Sequence, residues 1–188
     1  MTKSELRKLY KAKREELSGN DIDEMSRSIA TNFFSTFQCN GKNVHVYLPI
    51  SQKKEVDTTG IINTLKTNNR LIVSRTNFER QEMTHIEWSN TTSFFTSEFG
   101  IKEPTGGLIV EPASIDLVLV PLLAYDTEGN RVGYGRGFYD KFLKNCKRRT
   151  QFIGLSFFEP ENSIDDIEKH DIRLNYCVTS NQVYHFKE

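Results

Sequence analysis

The chain has 188 residues, 37% of them apolar and 27% charged, enough for one domain with a real core. Lysine plus arginine and aspartate plus glutamate number 25 each, so the formal net charge is zero. That balance removes the whole-protein field that gathers nucleic acid and leaves function to a local site.

The first segment reads as a helix. At about 100° per residue, Leu6, Leu9, Tyr10 and Leu17 share one face, while Lys3, Arg7, Lys11 and Arg14 form an adjacent basic stripe, the usual pattern of a solvated face. Ser18 and Asp21 have the spacing of a capping box and open a second helix, whose Ile22, Met25, Ile29, Phe33 and Phe37 are spaced for burial. Val44 to Leu48 is β-prone and ends at Pro49, a helix is expected from Thr58 to Lys66, and Leu71–Val73 and Thr84–Trp88 read as strands. Ile115 to Val120 is almost continuously apolar, as a strand covered on both faces should be. A helix is expected from about Gly137 to Lys147, then strands over Gln151–Phe157 and Tyr176–Thr179. Strands alternating with helices imply an α/β fold with a mostly parallel sheet in a single domain over 1–188; the strand order stays open.

Cys39, Cys146 and Cys177 are odd in number, far apart and form no CxxC, which argues against a disulfide framework or zinc site and for a reducing compartment. The charged N-terminal run lacks the apolar core of a signal peptide, and the longest apolar stretch, Leu117 to Tyr125, contains Pro121 and is too short to span a bilayer. A cytoplasmic protein with no membrane or nucleic-acid partner is expected, as a monomer or weak homodimer.

The stretch Glu128–Leu143, EGNRVGYGRGFYDKFL, carries Gly129, Gly133, Gly135 and Gly137 between the buried strand and the next helix. Its GxGxG spacing is not GxGxxG, and no GxxxxGK[ST] can be drawn through it. Backbone amides of such a loop, with Arg131 and Arg136 in it, suit an anion such as phosphate. A flexible turn with solvated arginines is the alternative. Asp140, in the first turn of the helix, suits either the helix dipole or a magnesium ion. Glu55 follows a strand and precedes a helix, so it lies at the sheet's ligand edge or is an exposed glutamate. Of His170 and Asp171 one is expected to be functional, and His45, His85 and His185 sit singly and read as structural.

The run Pro121–Asp126, then Gly129-Asn-Arg131, then Gly133-Tyr-Gly-Arg-Gly-Phe-Tyr-Asp140 resembles the signature of the 5-formyltetrahydrofolate cyclo-ligase family. Lys3 with Leu6-Arg7, Glu55-Val-Asp-Thr58, Gly100-Ile-Lys-Glu-Pro104 and His170-Asp171 follow in the family's order, so the resemblance covers nearly the whole chain. It implies a three-layer α/β sandwich similar to ribose-5-phosphate isomerases and CoA transferases. It also implies ATP- and Mg²⁺-dependent conversion of 5-formyltetrahydrofolate to 5,10-methenyltetrahydrofolate. By this resemblance Lys3, Arg7, Arg131 and the loop Gly133, Tyr134, Gly135, Arg136, Gly137, Phe138 and Tyr139 bind ATP. Asp140 and Asp171 hold magnesium, Glu55, Leu48, Ile50 and Tyr139 meet the folate, and Arg136 and Tyr139 act nearest the reaction. Four positions depart from the family's usual residues: Arg136 is often lysine, Phe138 tyrosine, Asn175 aspartate, and Ser74 a strand-ending proline. The departure at Ser74 reads as a local loop change. The competing expectations are another phosphate-handling enzyme of the sugar-phosphate class and a nucleic-acid module using the first helix and Lys147-Arg-Arg149.

Overall fold

The computed structural model describes residues 1–187. Helix α1 (Lys3–Glu15) opens on a capping box, with the Thr2 side chain accepting from the Glu5 amide while Glu5 reaches back to the Thr2 amide. Helix α2 (Gly19–Thr36) opens in the same way on Ser18 and Asp21. Strand β1 (Asn43–His45) follows, then α3 (Thr59–Leu65), β2 (Arg70–Asn77) and β3 (Glu82–Glu87). The hairpin β4 (Phe94–Thr96) and β5 (Lys102–Pro104) precedes β6 (Leu117–Pro121). A second small hairpin, β7 (Ala124–Tyr125) and β8 (Arg131–Val132), leads into α4 (Phe138–Lys144). Strands β9 (Gln151–Leu155), β10 (Tyr176–Val178) and β11 (Val183–His185) complete the chain.

Seven strands form one sheet in the order β11-β10-β9-β6-β1-β2-β3. The five inner strands run parallel, and β3 and β11 pair antiparallel at the two edges. Alternation along β6 divides the core. Leu117 and Leu119 pack with Ile29 and Phe33 of α2 and Ile61 and Leu65 of α3, whereas Val118 and Val120 pack with Phe142 and Leu143 of α4. Fully burying each such side chain contributes about 1.5–3 kcal/mol. Helices thus cover both faces: the mostly parallel α/β sheet read from the alternating elements, and the three layers that the resemblance implies, are those observed. A third cluster lays Leu6 and Tyr10 of α1 against Leu123, Ala124 and Val132 of the β7–β8 hairpin.

The order of strands creates the position for a site. β1 proceeds through α3 to β2 on one side, while β6 proceeds through α4 to β9 on the other. The chain therefore switches direction between β1 and β6, and a crevice opens beyond the carboxyl ends of those neighbours.

Several boundaries differ from the sequence reading. β1 stops at His45, not Leu48, because only the Val46 amide continues the pairing, to the Ile72 carbonyl, before the chain turns towards the crevice. β2 runs on to Asn77 because β3 pairs with it from Ile72↔Glu87 to Asn77↔Glu82. Ser74 is therefore inside a strand and not in a loop. α4 ends at Lys144, with Asn145 as its cap, not at Lys147. Among the described residues no helix is long and apolar enough to cross a membrane, and all three cysteines are free.

Candidate active site

A cleft of about 1170 Å³ occupies the switch point. One wall is the loop after β1, with Leu48, Ile50 and Glu55; the other is the glycine loop after β8, and α1 closes the end. Every residue named above as binding or catalytic, from Lys3 and Arg7 to Asp140 and Asp171, lines this cleft.

Asp126 builds the base of the glycine loop. It is 1% exposed, and its Oδ1 accepts the Glu128 and Asn130 amides at 3.0 and 2.9 Å. Its Oδ2 accepts Asn130 Nδ2 at 2.8 Å and the Ile164 amide at 3.3 Å. A buried carboxylate with four donors fixes the turn between β7 and β8 and so the direction in which Arg131 leaves it. Further along, Arg7 Nε donates to the Gly133 carbonyl at 2.9 Å, which ties α1 to the loop across 126 residues of sequence.

Two ion pairs line the cleft. Lys3 Nζ lies 2.5 Å from Asp171 Oδ2, and Arg131 Nη2 lies 2.6 Å from Asp140 Oδ1. Arg131 is nearly enclosed, and its Nη1 also donates to the Ile172 carbonyl. Burial lowers the Arg131 pKa, with Asp140 opposing. For Asp171 burial acts upward, but hydrogen bonds from the Glu168 amide and from Lys3 outweigh it and hold the carboxyl below its ordinary value. Among the described residues the bonds to Asp171 all fall on Oδ2, and those to Asp140, including the Ile172 amide at 3.2 Å, on Oδ1. Each carboxylate keeps one oxygen open. Two open carboxylate oxygens on one cleft are the donor set that a hard divalent cation such as Mg²⁺ takes, with water and phosphate completing its shell. Glu168, His170 and Asp171 also present ligand atoms within 4.8 Å of one another. His170 is 70% exposed and pairs with Glu168 at 2.9 Å, so of the two adjacent residues Asp171 is the one held within the site.

Glu55 is buried rather than exposed, and hydrogen-bonded on both oxygens. Oε2 accepts the Ile50 amide at 2.8 Å, and Oε1 accepts the Tyr134 hydroxyl at 2.6 Å. Behind Tyr134 stands Arg14, which is 3% exposed and not on a solvated stripe. The helical period placed Arg14 beside the apolar face but held no sign of the buried acceptors waiting for it, the Tyr134 hydroxyl and the Leu122 carbonyl.

Phe138 meets Phe78 edge-on at 5.3 Å, and the exposed Arg136, which also lines the cleft, has its guanidinium 5.8 Å from the Phe78 ring centre. Burial, reinforced by Glu55, raises the Tyr139 phenol, which keeps its proton at neutral pH. At the floor, His45 Nε2 is 2.7 Å from Ser74 Oγ, which is 2.9 Å from His85 Nδ1. The two histidines, solitary in sequence, are thus one buried unit. His185 instead stacks on Tyr176 at 4.6 Å.

A model of the 5-formyltetrahydrofolate cyclo-ligase family matches residues 1–180. The chain belongs to that family. It is similar to the 5-formyltetrahydrofolate cyclo-ligase of Mus musculus, 26% identical over 148 residues that cover 72% of each chain. Its likeness to the cyclo-ligase of Mycoplasma genitalium is 26% over 179 residues, covering 93% of this chain and 97% of that one. The solution structure of Aquifex aeolicus 5,10-methenyltetrahydrofolate synthetase superposes with a TM-score of 0.84 at 31% identity, over 100% of this chain and 94% of that one.

Of the departures from the cyclo-ligase pattern, that at Ser74 acquires a local explanation. Asn175 Oδ1 accepts the Phe152 amide at 2.7 Å, a contact an aspartate would make as well, so nothing in it accounts for the amide. Ser74 supplies the hydroxyl that joins His45 to His85, which proline could not do.

Proposed function

We propose that this member of the cyclo-ligase family converts 5-formyltetrahydrofolate to 5,10-methenyltetrahydrofolate, with ATP passing to ADP and phosphate. The observation that carries this reading is the meeting in one cleft of the family's glycine loop, the cations Lys3, Arg7 and Arg136, and the carboxylates Asp140 and Asp171, opposite a buried Glu55. In the reaction the formyl oxygen attacks the γ-phosphorus and ADP leaves. N10 of the folate then closes on the activated carbon and gives up its proton to water, and the C–O bond breaks to release phosphate. Phosphoryl transfer of this kind depends on positioning and on neutralising charge spread over phosphate oxygens.

Lys3, Arg7 and Arg136 hold the polyphosphate, with the loop Gly133–Tyr139 around it. Arg131 fixes Asp140. Bound at Asp140 and Asp171, Mg²⁺ would supply neutralisation of the phosphate oxygens. Glu55 accepts donors from the folate ring, and Leu48 and Ile50 pack beside it. Tyr139 donates a hydrogen bond near the reacting groups. Three free thiols and the absence of net charge support a cytoplasmic protein that works on small molecules.

The test is the near-ultraviolet absorbance of the methenyl product after mixing protein, Mg·ATP and 5-formyltetrahydrofolate, with ATP omitted as the control. Absorbance that needs ATP and is matched by ADP release is expected; none at any pH from 6 to 8, on the order of the neutral range, overturns the reading. Asp140→Asn should lower kcat on the order of a hundredfold. Its amide oxygen still accepts from Arg131, so the fold should survive with a lower melting temperature.

A further inference from the structure

Tyr134 belongs to the glycine loop, yet its hydroxyl leaves the loop and crosses to the opposite wall. It donates to Glu55 Oε1 at 2.6 Å and accepts Arg14 Nη1 at 2.9 Å. Arg14 is itself immobilised, with Nη2 on the Leu122 carbonyl at 2.6 Å and Nη1 also reaching the Lys53 carbonyl at 3.3 Å. The Lys53 ammonium sits 4.4 Å from the centre of the Tyr134 ring. On the far side, the Ile50 amide holds Glu55 Oε2 at 2.8 Å. The carboxylate is therefore pinned by one donor on each oxygen. A carboxylate has about four lone-pair sites, so each oxygen retains one. That is the pattern that takes two parallel N–H donors from a planar amidine-like edge.

We propose that Tyr134, backed by Arg14, is a positioning residue that aims Glu55 at such an edge on the second substrate. Resting on the functional reading above, it identifies the edge as the donor side of the folate's fused ring. It gives the Tyr134 side chain to the folate half of the cleft, while its backbone stays with the nucleotide loop. Loop and folate wall are thereby joined through the Tyr134 hydroxyl, and removing it reaches folate binding without touching a phosphate ligand.

The experiment compares Tyr134→Phe, Glu55→Gln and the double variant by calorimetric titration with 5-formyltetrahydrofolate and, separately, with Mg·ATP. Tyr134→Phe keeps the ring and its contact with Lys53 and removes only the hydroxyl. The folate Kd is expected to rise roughly tenfold, Mg·ATP affinity to stay within about twofold, and the double variant to bind folate no more weakly than Glu55→Gln alone. Unchanged folate affinity in Tyr134→Phe, equal loss for both ligands, or full additivity with Glu55→Gln overturns the proposal. A merely structural role would lower the melting temperature and weaken both ligands together. A ligand-free crystal structure of Tyr134→Phe decides the positioning independently. Displacement of the Glu55 carboxylate supports it, and an unmoved carboxylate overturns it. If the wild-type chain binds no 5-formyltetrahydrofolate, the functional reading fails, and this second arm still settles what Tyr134 does to Glu55.

Discussion

Gly129 and Gly135 both adopt left-handed backbone, with φ of +82° and +89°, but a methyl group added to each would meet different neighbours. At Gly129 it would lie 2.7 Å from the Phe186 ring and 3.0 Å from the Leu174 carbonyl, and neither can retreat far. At Gly135 it would lie 3.3 Å from the Arg7 guanidinium, the far end of a flexible side chain. Gly129→Ala should therefore cost about 3 kcal/mol or more of stability in urea unfolding, from backbone strain and overpacking together. Gly135→Ala should cost about 1–2 kcal/mol but, on the proposed reading of Arg7 as a phosphate ligand, weaken Mg·ATP several-fold, because Arg7 is pushed off its place. Equal effects of the two on Mg·ATP binding would remove Arg7 from the nucleotide site. The signature displays all these glycines alike. What separates a structural one from a site-facing one is a contact with Phe186 or Arg7, far away along the chain. Glu55 and Arg14 teach the same lesson. Their types and positions are visible in the sequence, but their burial depends on Tyr134, which arrives from another loop.

At the scale of elements, α1 is the delivery arm for two site cations, and its first turn depends on Thr2. Thr2→Ala removes the acceptor for the Glu5 amide and should cost about 1 kcal/mol. Because Lys3 is the first helical residue, fraying there should also raise the KM for Mg·ATP several-fold with kcat nearly unchanged. Initial-rate kinetics beside urea unfolding separate the two effects, and an unchanged KM would show that Lys3 keeps its place without the cap. Helices were the most legible elements, because their apolar spacing and caps are local. Strand β6 was legible for the same reason, its apolar run being continuous. The β4–β5 and β7–β8 hairpins and β11 were not, because runs of two or three residues carry no periodicity to read. The polar end of β2 was equally hidden. Its pairing with β3 supplies what its composition lacks.

At the scale of the molecule, the sheet's class followed from alternating elements, whereas the strand order, and with it the switch point, depends on which way each crossover turns. The His45–Ser74–His85 unit gives the whole fold a pH dependence. Burial lowers the His85 pKa to about 4, and burial together with His85 lowers that of His45. In the unfolded chain both rings take up protons near pH 6.5. Stability present at pH 7 should therefore fall as the pH drops from about 6.5 towards about 4, by about 3 kcal/mol for His85 alone. Urea midpoints across that window check the sign. His85→Gln should unfold more easily at pH 7, having lost its contact with Phe142, yet show a shallower slope. An unchanged slope would mean that His85 is not the group responsible.

The pairs Lys3–Asp171 and Arg131–Asp140 make the cleft its own counter-ion. On the proposed reading, a polyphosphate entering alone finds the Lys3 ammonium already answered by a carboxylate, and a divalent cation entering alone finds the carboxylates already answered. When the two enter as one complex, phosphate takes the ammonium and the metal takes the carboxylates, so no charge is stranded on either side. The site then behaves as a coincidence detector, favouring the metal–nucleotide complex over the sum of its halves.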